Sequence, residues 1–405
     1  MALVFWCAAA FILYVYAGYP AALWMWARLR PRRVADGGPI GPVGVTIVIA
    51  ARNEAHRLRA RIENLLQLDH PPALRQIVVV SDGSTDDTEH VLSTYAGAGA
   101  VDVDVVTVPA GGKALALNAG VARARFDTLV FTDARQLFAP DAIAELTRPL
   151  QDPSVGAVSG ELVLDCESTW RRTGEPDRRR APRSARADRR TARASAIAAG
   201  VGAYWVYEKA LRRLESTVAS TLGATGAIYA MRRELWTPLP ADTILDDVLA
   251  PMRAVLNGFR VVFNPRARAF DCVAPDAEVE AGRKTRTLTG NYQILWLEPR
   301  LLLPWRNPVW IQYMSHKVGR LLVPQALLAV FVSGLVLADR PFYLVALLAQ
   351  CAFYLLAGYG AWLELGTKTV TAHPADGAAV MPGPKGPGLH AAGPGLPPRK
   401  EVVNA

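Results

Sequence analysis

The stretch Val78–Thr88, VVVSDGSTDDT, constrains the fold more than any other. Apolar β-formers end abruptly in a turn that carries Asp82, Gly83, Ser84, Asp86 and Asp87. A short, wholly apolar run reads as a strand buried on both faces, the habit of parallel sheets. Ligands of open α/β sheets sit at the carboxyl ends of such strands. The turn therefore puts carboxylates, hydroxyls and backbone N–H groups where a ligand would lie. Two more strands end alike: 45–51 runs into Arg52, Asn53 and Glu54, and 129–132 into Asp133, Ala134 and Arg135.

From Val43 to about Phe270 such strands alternate with helical patterns. Residues 55–68 carry Leu58, Ile62, Leu65 and Leu66 at helical spacing. Helices are also predicted over 86–95, 114–124, 140–150 and 197–218, and strands over 103–108 and 155–163. Alternation of this kind argues for an α/β domain, a mainly parallel sheet with helices on both faces.

The chain is 51% apolar, with mean hydropathy +0.15. The excess lies near the two ends, which predicts transmembrane helices there. Residues 2–27 are nearly all apolar and are followed, not preceded, by cations: Arg28, Arg30, Arg32 and Arg33. A secretory signal has the opposite polarity. By the positive-inside rule the amino terminus lies outside and the next domain is cytoplasmic. Residues 299–317 mix Trp, Pro, Tyr and cations and read as an interfacial segment. Apolar spans at 321–338 and 342–363, joined by Asp339, Arg340 and Pro341, predict a hairpin with both ends cytoplasmic. The tail 369–405, rich in Gly, Pro and Ala, is expected to be disordered.

The net charge of +9 raises nucleic acid, anionic lipid or phosphorylated substrates as partners. Much of it sits in one insertion, 166–194, with ten arginines between Arg171 and Arg193. That composition reads as a disordered cytoplasmic loop, or more sharply as a contact for anionic lipid head groups. Nucleic-acid binding is not expected. Four scattered cysteines offer no disulfide framework or zinc spacing.

Several residues could carry chemistry. Gly111, Gly112 and Lys113 precede a helix, a seat for phosphate or an ordinary turn. Asp133 is a metal or ribose ligand, or a helix cap. Asp246 and Asp247 are adjacent carboxylates at a helix start. They would complement the helix dipole, or supply a general base tuned by its neighbour.

Taken in order, ARNEA (51–55), SDGSTDDT (81–88), GGKALALNAG (111–120), TDAR (132–135), GATGAIYAMRR (223–233), LDD (245–247) and RKTRTLTGN (283–291) resemble the motifs of membrane-bound family 2 glycosyltransferases. These are relatives of cellulose, chitin, hyaluronan and poly-N-acetylglucosamine synthases. The resemblance covers Val43 to about Gln293. It implies the GT-A fold, a Rossmann-like mixed sheet, over 43–293. It also implies a nucleotide-diphospho-sugar donor, a lipid-linked or glycan acceptor, and a divalent cation, Mg2+ or Mn2+. By position, Asn53 and Glu54 would border the nucleotide pocket and Asp82 would meet the nucleobase. Lys113 would lie beside the diphosphate. Asp133 matches the first Asp of the DxD motif, for ribose and metal. Asp247 matches the catalytic base, with Asp246 where the family has Glu. Arg286 matches the Arg of QxxRW, near diphosphate and acceptor, with Arg283 and Gly226 on the acceptor side.

Two departures matter. The DxD position reads Asp133-Ala134-Arg135, so one metal carboxylate is missing: either Arg135 supplies positive charge itself, or the metal relies on Asp133 and the phosphates. The QxxRW position reads Arg283-Lys284-Thr285-Arg286-Thr287, without Gln or Trp. An inverting enzyme that makes single transfers at the inner membrane is therefore expected, for cell-envelope or polysaccharide biosynthesis. A processive exopolysaccharide synthase is the alternative. A catalytically inactive nucleotide-sugar-binding membrane protein is the alternative from another class. A transporter is disfavoured, because no charged cluster is evident within the spans.

Overall fold

The computed structural model describes residues 1–35, 41–97, 99–164, 205–271 and 277–369. The Arg-rich insertion, Cys166, Cys272 and the tail beyond Thr369 lie outside the described residues.

One eight-stranded sheet runs in the order β3-β2-β1-β4-β7-β6-β8-β5. The strands are β1 (Val45–Ala51), β2 (Arg75–Asp82), β3 (Asp102–Val108), β4 (Thr128–Asp133), β5 (Leu137–Phe138), β6 (Val155–Leu164), β7 (Tyr229–Arg232) and β8 (Arg260–Asp271). The half made of β3, β2, β1 and β4 is parallel. It is also where the apolar runs were read. All eight residues of β2 are buried, and all of β1 but Ala50. Strand β7 then enters antiparallel to both β4 and β6, and β5 antiparallel to β8, so the sheet is mixed.

Two apolar layers flank the sheet. Leu58, Ile62 and Leu65 of the Ala55–Leu66 helix pack one face with Ile47, Ile49 and Ile77. Leu117 of the Lys113–Ala122 helix and Leu249, Met252 and Val255 of the Asp246–Leu256 helix pack the other with Val48, Leu129 and Phe131. Burying a Leu or Ile side chain contributes about 1.5–3 kcal/mol, so these helices are held by packing.

Among the described residues three helices are long and apolar enough to cross a membrane: Ala2–Leu29, Trp310–Val336 and Pro341–Gly360. The second begins earlier than the sequence suggests. His316 and Lys317 were read as part of an interfacial segment, yet they lie within this helix, and Val309, Tyr313 and Val318 join the core that holds Val248 and Leu249. Prolines at 304 and 308 disguise the continuity. The first helix packs Tyr19 and Leu23 against Leu211 and Val218 of a helix over 205–218. The first helix, and the second as far as Ser333, belong to one compact unit, Met1–Ser333. The second unit starts at Gly334 and contains the helix Pro341–Thr369.

Candidate active site

The turns after β1 and β2 are stitched together. Asn53 holds a left-handed backbone, φ 55°, which Asn tolerates better than most side chains. Its Oδ1 accepts a hydrogen bond from the Thr85 N–H at 2.8 Å, and its own N–H donates to Ser84 Oγ at 3.2 Å. The Glu54 N–H donates to Thr88 Oγ1 at 3.0 Å, while its carboxylate pairs with Arg57 at 2.9 Å. Asp86 Oδ2 accepts from the Ala55 N–H at 3.2 Å. The polar residues that look ligand-facing in sequence thus also build the rim.

Asp82 has a structural task that sequence did not reveal. It is only 3% exposed. Its Oδ1 accepts from the Gly111 N–H at 2.7 Å, and both oxygens accept from the Gly112 N–H, at 3.1 and 3.0 Å. Gly112 has φ 89°, a conformation that favours glycine. Asp82 therefore fixes the turn that launches Lys113, and any influence on a nucleobase runs beside that role.

Lys113 is the centre of the cluster. Its Nζ lies 3.0 Å from Asp133 Oδ1 and 3.2 Å from Asp246 Oδ1. Burial disfavours its charge, but Asp133, Asp246 and Asp247 outweigh that and hold it protonated, above the ordinary lysine range. Burial likewise pushes the Asp133 carboxyl up, and Lys113 more than reverses it, leaving Asp133 below the usual range. Asp246 goes the other way: burial and the neighbouring Asp247 and Asp133 raise it against the pull of Lys113. Beneath them Tyr229 is fully buried, stacked on Phe131 at 4.7 Å, and pushed well up by burial.

Asp247 stands apart from that pair. Its Oδ2 accepts from the Gly226 N–H at 2.9 Å, and its carbonyl accepts from the Ala224 N–H at 2.7 Å. A β-carbon on Gly226 would come within 3.0 Å of Asp247 Oδ2 and 3.4 Å of its Cγ. Gly226→Ala is therefore expected to displace this carboxylate and cut transfer about tenfold, since sub-ångström misplacement of a reacting group is costly. Steady-state rates on the purified protein check this; an unchanged kcat would show that the carboxylate tolerates the shift.

Arg286 donates to the Ile244 carbonyl at 3.3 Å and its charge reaches Asp133. Gln293 on the same helix bonds the Asp242 carbonyl and the Ile244 N–H, clamping the segment that leads into Asp246. Arg283 lies one turn earlier, its carbonyl accepting from Thr287 Oγ1 at 2.9 Å. Arg135 pairs with Asp271 at the end of β8, 3.2 Å away, and Gln136 bonds the same oxygen at 2.9 Å. Asp271 was not read from sequence, nor was Arg61. Arg61 is fully buried, donates to Thr132 Oγ1 at 2.8 Å and lies 4.3 Å from the Phe138 ring. Burial lowers its pKa to about 9, with Asp133 pulling the other way. Its place on the apolar face of a helix gave no sign of this role.

Asp133 thus meets Lys113, Asp246 and Arg286 at the carboxyl ends of the parallel strands, with Asp247 adjacent. The sequence pattern described as "Glycosyltransferase like family 2" matches residues 42–296, the whole of this arrangement.

The chain belongs to glycosyltransferase family 2.

Sequence relatives of this family 2 enzyme agree. It is 29% identical over 129 residues to an N-acetylglucosaminyltransferase of Rhizobium leguminosarum bv. trifolii, covering 31% of this chain and 71% of that protein. It is 27% identical over 121 residues to the poly-beta-1,6-N-acetyl-D-glucosamine synthase of Staphylococcus epidermidis, covering 29% of this chain and 28% of that one. A 4,4'-diaponeurosporenoate glycosyltransferase of Staphylococcus aureus is 36% identical over 111 residues, 26% of this chain and 28% of its own. The match thus spans less than a third of the latter two. Among solved structures, the mannosyltransferase PcManGT of Pyrobaculum calidifontis, in complex with GDP-Man and Mn2+, superposes with TM-score 0.59. It is 21% identical and covers 89% of this chain and 99% of its own. The mixed sheet is the GT-A fold expected of a family 2 transferase.

Proposed function

We propose that this glycosyltransferase moves a sugar from a nucleotide-diphospho-sugar onto a lipid or glycan acceptor at the cytoplasmic face of the inner membrane, with inversion, in cell-envelope or polysaccharide biosynthesis. The observation that carries the reading is Lys113, paired both with Asp133 at the end of β4 and with Asp246, the neighbour of Asp247 in the chain. Asp247 takes the acceptor hydroxyl proton as that oxygen attacks the anomeric carbon in line. The Gly226 N–H orients the carboxylate for this task. Lys113 and Arg286 meet the negative charge that grows on the leaving diphosphate. One displacement turns an α-linked donor into a β-linked product.

A metal fits this site only in part. Among the described residues no group of three His, Cys, Asp or Glu is placed to hold one. Ala134 offers no ligand, Arg135 turns to Asp271, and Asp133 is the carboxylate that remains. Asp133 would hold a divalent cation together with donor phosphates, and that ion would supply charge neutralisation. Single transfer is favoured over processive synthesis because Arg283–Thr287 lacks the Gln and Trp of QxxRW.

The three apolar helices and the cations at Arg28–Arg33 support the membrane placement. Sealed membrane vesicles of both orientations, given a panel of labelled nucleotide sugars, test donor and topology together. Label is expected in lipid or glycan product from inside-out vesicles alone. Equal labelling from right-side-out vesicles would sink the orientation, and no labelling with any donor would sink the transfer reading.

A further inference from the structure

The spans read from the sequence, 2–27, 321–338 and 342–363, hold no charged cluster, but the structure gathers one just ahead of the second. Where the helix over 205–218 meets the two apolar helices of the first unit, Glu208, Arg212, Glu215, His316, Lys317 and Arg320 converge. Glu215 Oε1 lies 2.6 Å from His316 Nδ1 and accepts from Tyr19 Oη at 3.0 Å. Glu208 pairs with Arg320 and, at 3.5 Å, with His316. Burial pushes the Glu208 carboxyl up, and those two partners hold it well below the usual range instead.

Two cations of this cluster make no ion pair with a carboxylate among the described residues. On the 205–218 helix, Lys209 and Arg213 both pair with Glu161, at 2.7 and 3.9 Å. Arg212 instead donates to Thr225 Oγ1, next in the chain to Gly226, whose N–H holds Asp247. In the Trp310–Val336 helix, His316 and Arg320 are matched to Glu215 and Glu208. Lys317, half-buried, makes no ion pair or hydrogen bond among the described residues. Its charge is coupled to Arg212, Glu208, Glu215 and Asp247. Two neighbouring cations, partly out of water and short of counter-ions, are costly to hold unless an anion visits them. The cations facing the donor act elsewhere: Lys113, Arg135 and Arg286 lie around Asp133. The charge of Asp247 acts on a cation of each group, Lys113 and Lys317.

We propose that Arg212 and Lys317 form an anion subsite on the acceptor side of Asp247, and that it takes the phosphate head group of a lipid acceptor. The inference rests on the transfer reading above and narrows its acceptor. Lipid is favoured as the source because Lys317 belongs to an apolar helix and Arg212 to a helix packed on another. A lipid within the bilayer reaches such a place without leaving it, whereas a neutral glycan has no anion to match the pair. The guanidinium fork of Arg212 suits phosphate oxygens, and the ammonium of Lys317 adds a point charge.

The test uses the full chain in detergent, titrated with decyl phosphate, decanol and inorganic phosphate, with a nucleoside diphosphate titrated separately. Decyl phosphate is expected to bind at least about tenfold more tightly than decanol or inorganic phosphate, the effect of a charge-assisted contact. Lys317→Met and Arg212→Met should each weaken decyl phosphate about tenfold, Lys317→Arg should recover most of it, and nucleoside diphosphate affinity should hold within about twofold. Equal affinity for decyl phosphate and decanol overturns the subsite, and this comparison needs no variant. Inorganic phosphate binding as well as decyl phosphate overturns the lipid source. Unchanged decyl phosphate affinity in both Met variants overturns the assignment to these residues. Failure of the nucleoside diphosphate to bind the unaltered protein would instead overturn the transfer reading, so the two failures read differently.

Discussion

Replacing Asp247 by Asn is expected to lower turnover by about a hundredfold or more, the scale of losing a positioned general base. Asn is nearly isosteric, and its Oδ1 still accepts from the Gly226 N–H, so the local backbone should hold. Donor affinity should stay within a few-fold, because Asp133 and Lys113 are untouched. Single-turnover rates and nucleoside diphosphate titration on the same preparation separate the two effects. Turnover within a few-fold of the unaltered enzyme would remove Asp247 from the chemistry.

Replacing Lys113 by Met should harm both binding and folding. It leaves Asp133 and Asp246 facing each other without the ammonium that lies 3.0 and 3.2 Å from them. Breaking a buried ion pair by removing one partner costs about 3–5 kcal/mol. The Lys113 side chain is 29% exposed and Asp133 32%, so the lower end of that range applies. Nucleoside diphosphate affinity should fall about tenfold or more as the charge at the diphosphate is lost. A melting temperature and a titration check these together. A variant as stable as the parent would mean that water or a cation replaces the ammonium at little cost, and unchanged affinity would place the diphosphate elsewhere.

The parallel half of the sheet was legible because its strands are wholly apolar and end in polar turns. Strands β1 and β4 fall within a residue of the reading, and β2 begins three residues earlier, at Arg75. The acidic cluster was legible for the same reason: Lys113 and Asp246 each sit where a loop hands over to a helix, and Asp133 ends β4 at a turn into β5, with no helix there for it to cap. What stayed hidden depends on partners far apart in the chain. Arg135 lies in the motif, but its counter-charge, Asp271, comes from the end of β8, far along the chain. Asp82 looks like a ligand by position, and only the folded turn shows Gly111 and Gly112 donating to it. Arg212 resembles its neighbour Arg213 until the helix is packed and one meets Glu161 while the other meets Thr225. The antiparallel entry of β7 left no trace in periodicity, because YAMR is too short to alternate.

The apolar helix starting at Trp310 shares a core with the catalytic sheet through Val309, Tyr313 and Val318, and Leu301 lies in the same layer. That continuity decides how the gene can be trimmed. A fragment stopped at Gln293, where the family motifs run out, would strip one wall from the layer that seats the Asp246–Leu256 helix. Its raw face would invite aggregation during expression, whatever the solubility of the sheet itself. A crystallisable version has to keep the chain at least through Val318, and with it the first third of an apolar helix. Purification of this enzyme is therefore a matter of choosing a detergent rather than a cleavage point.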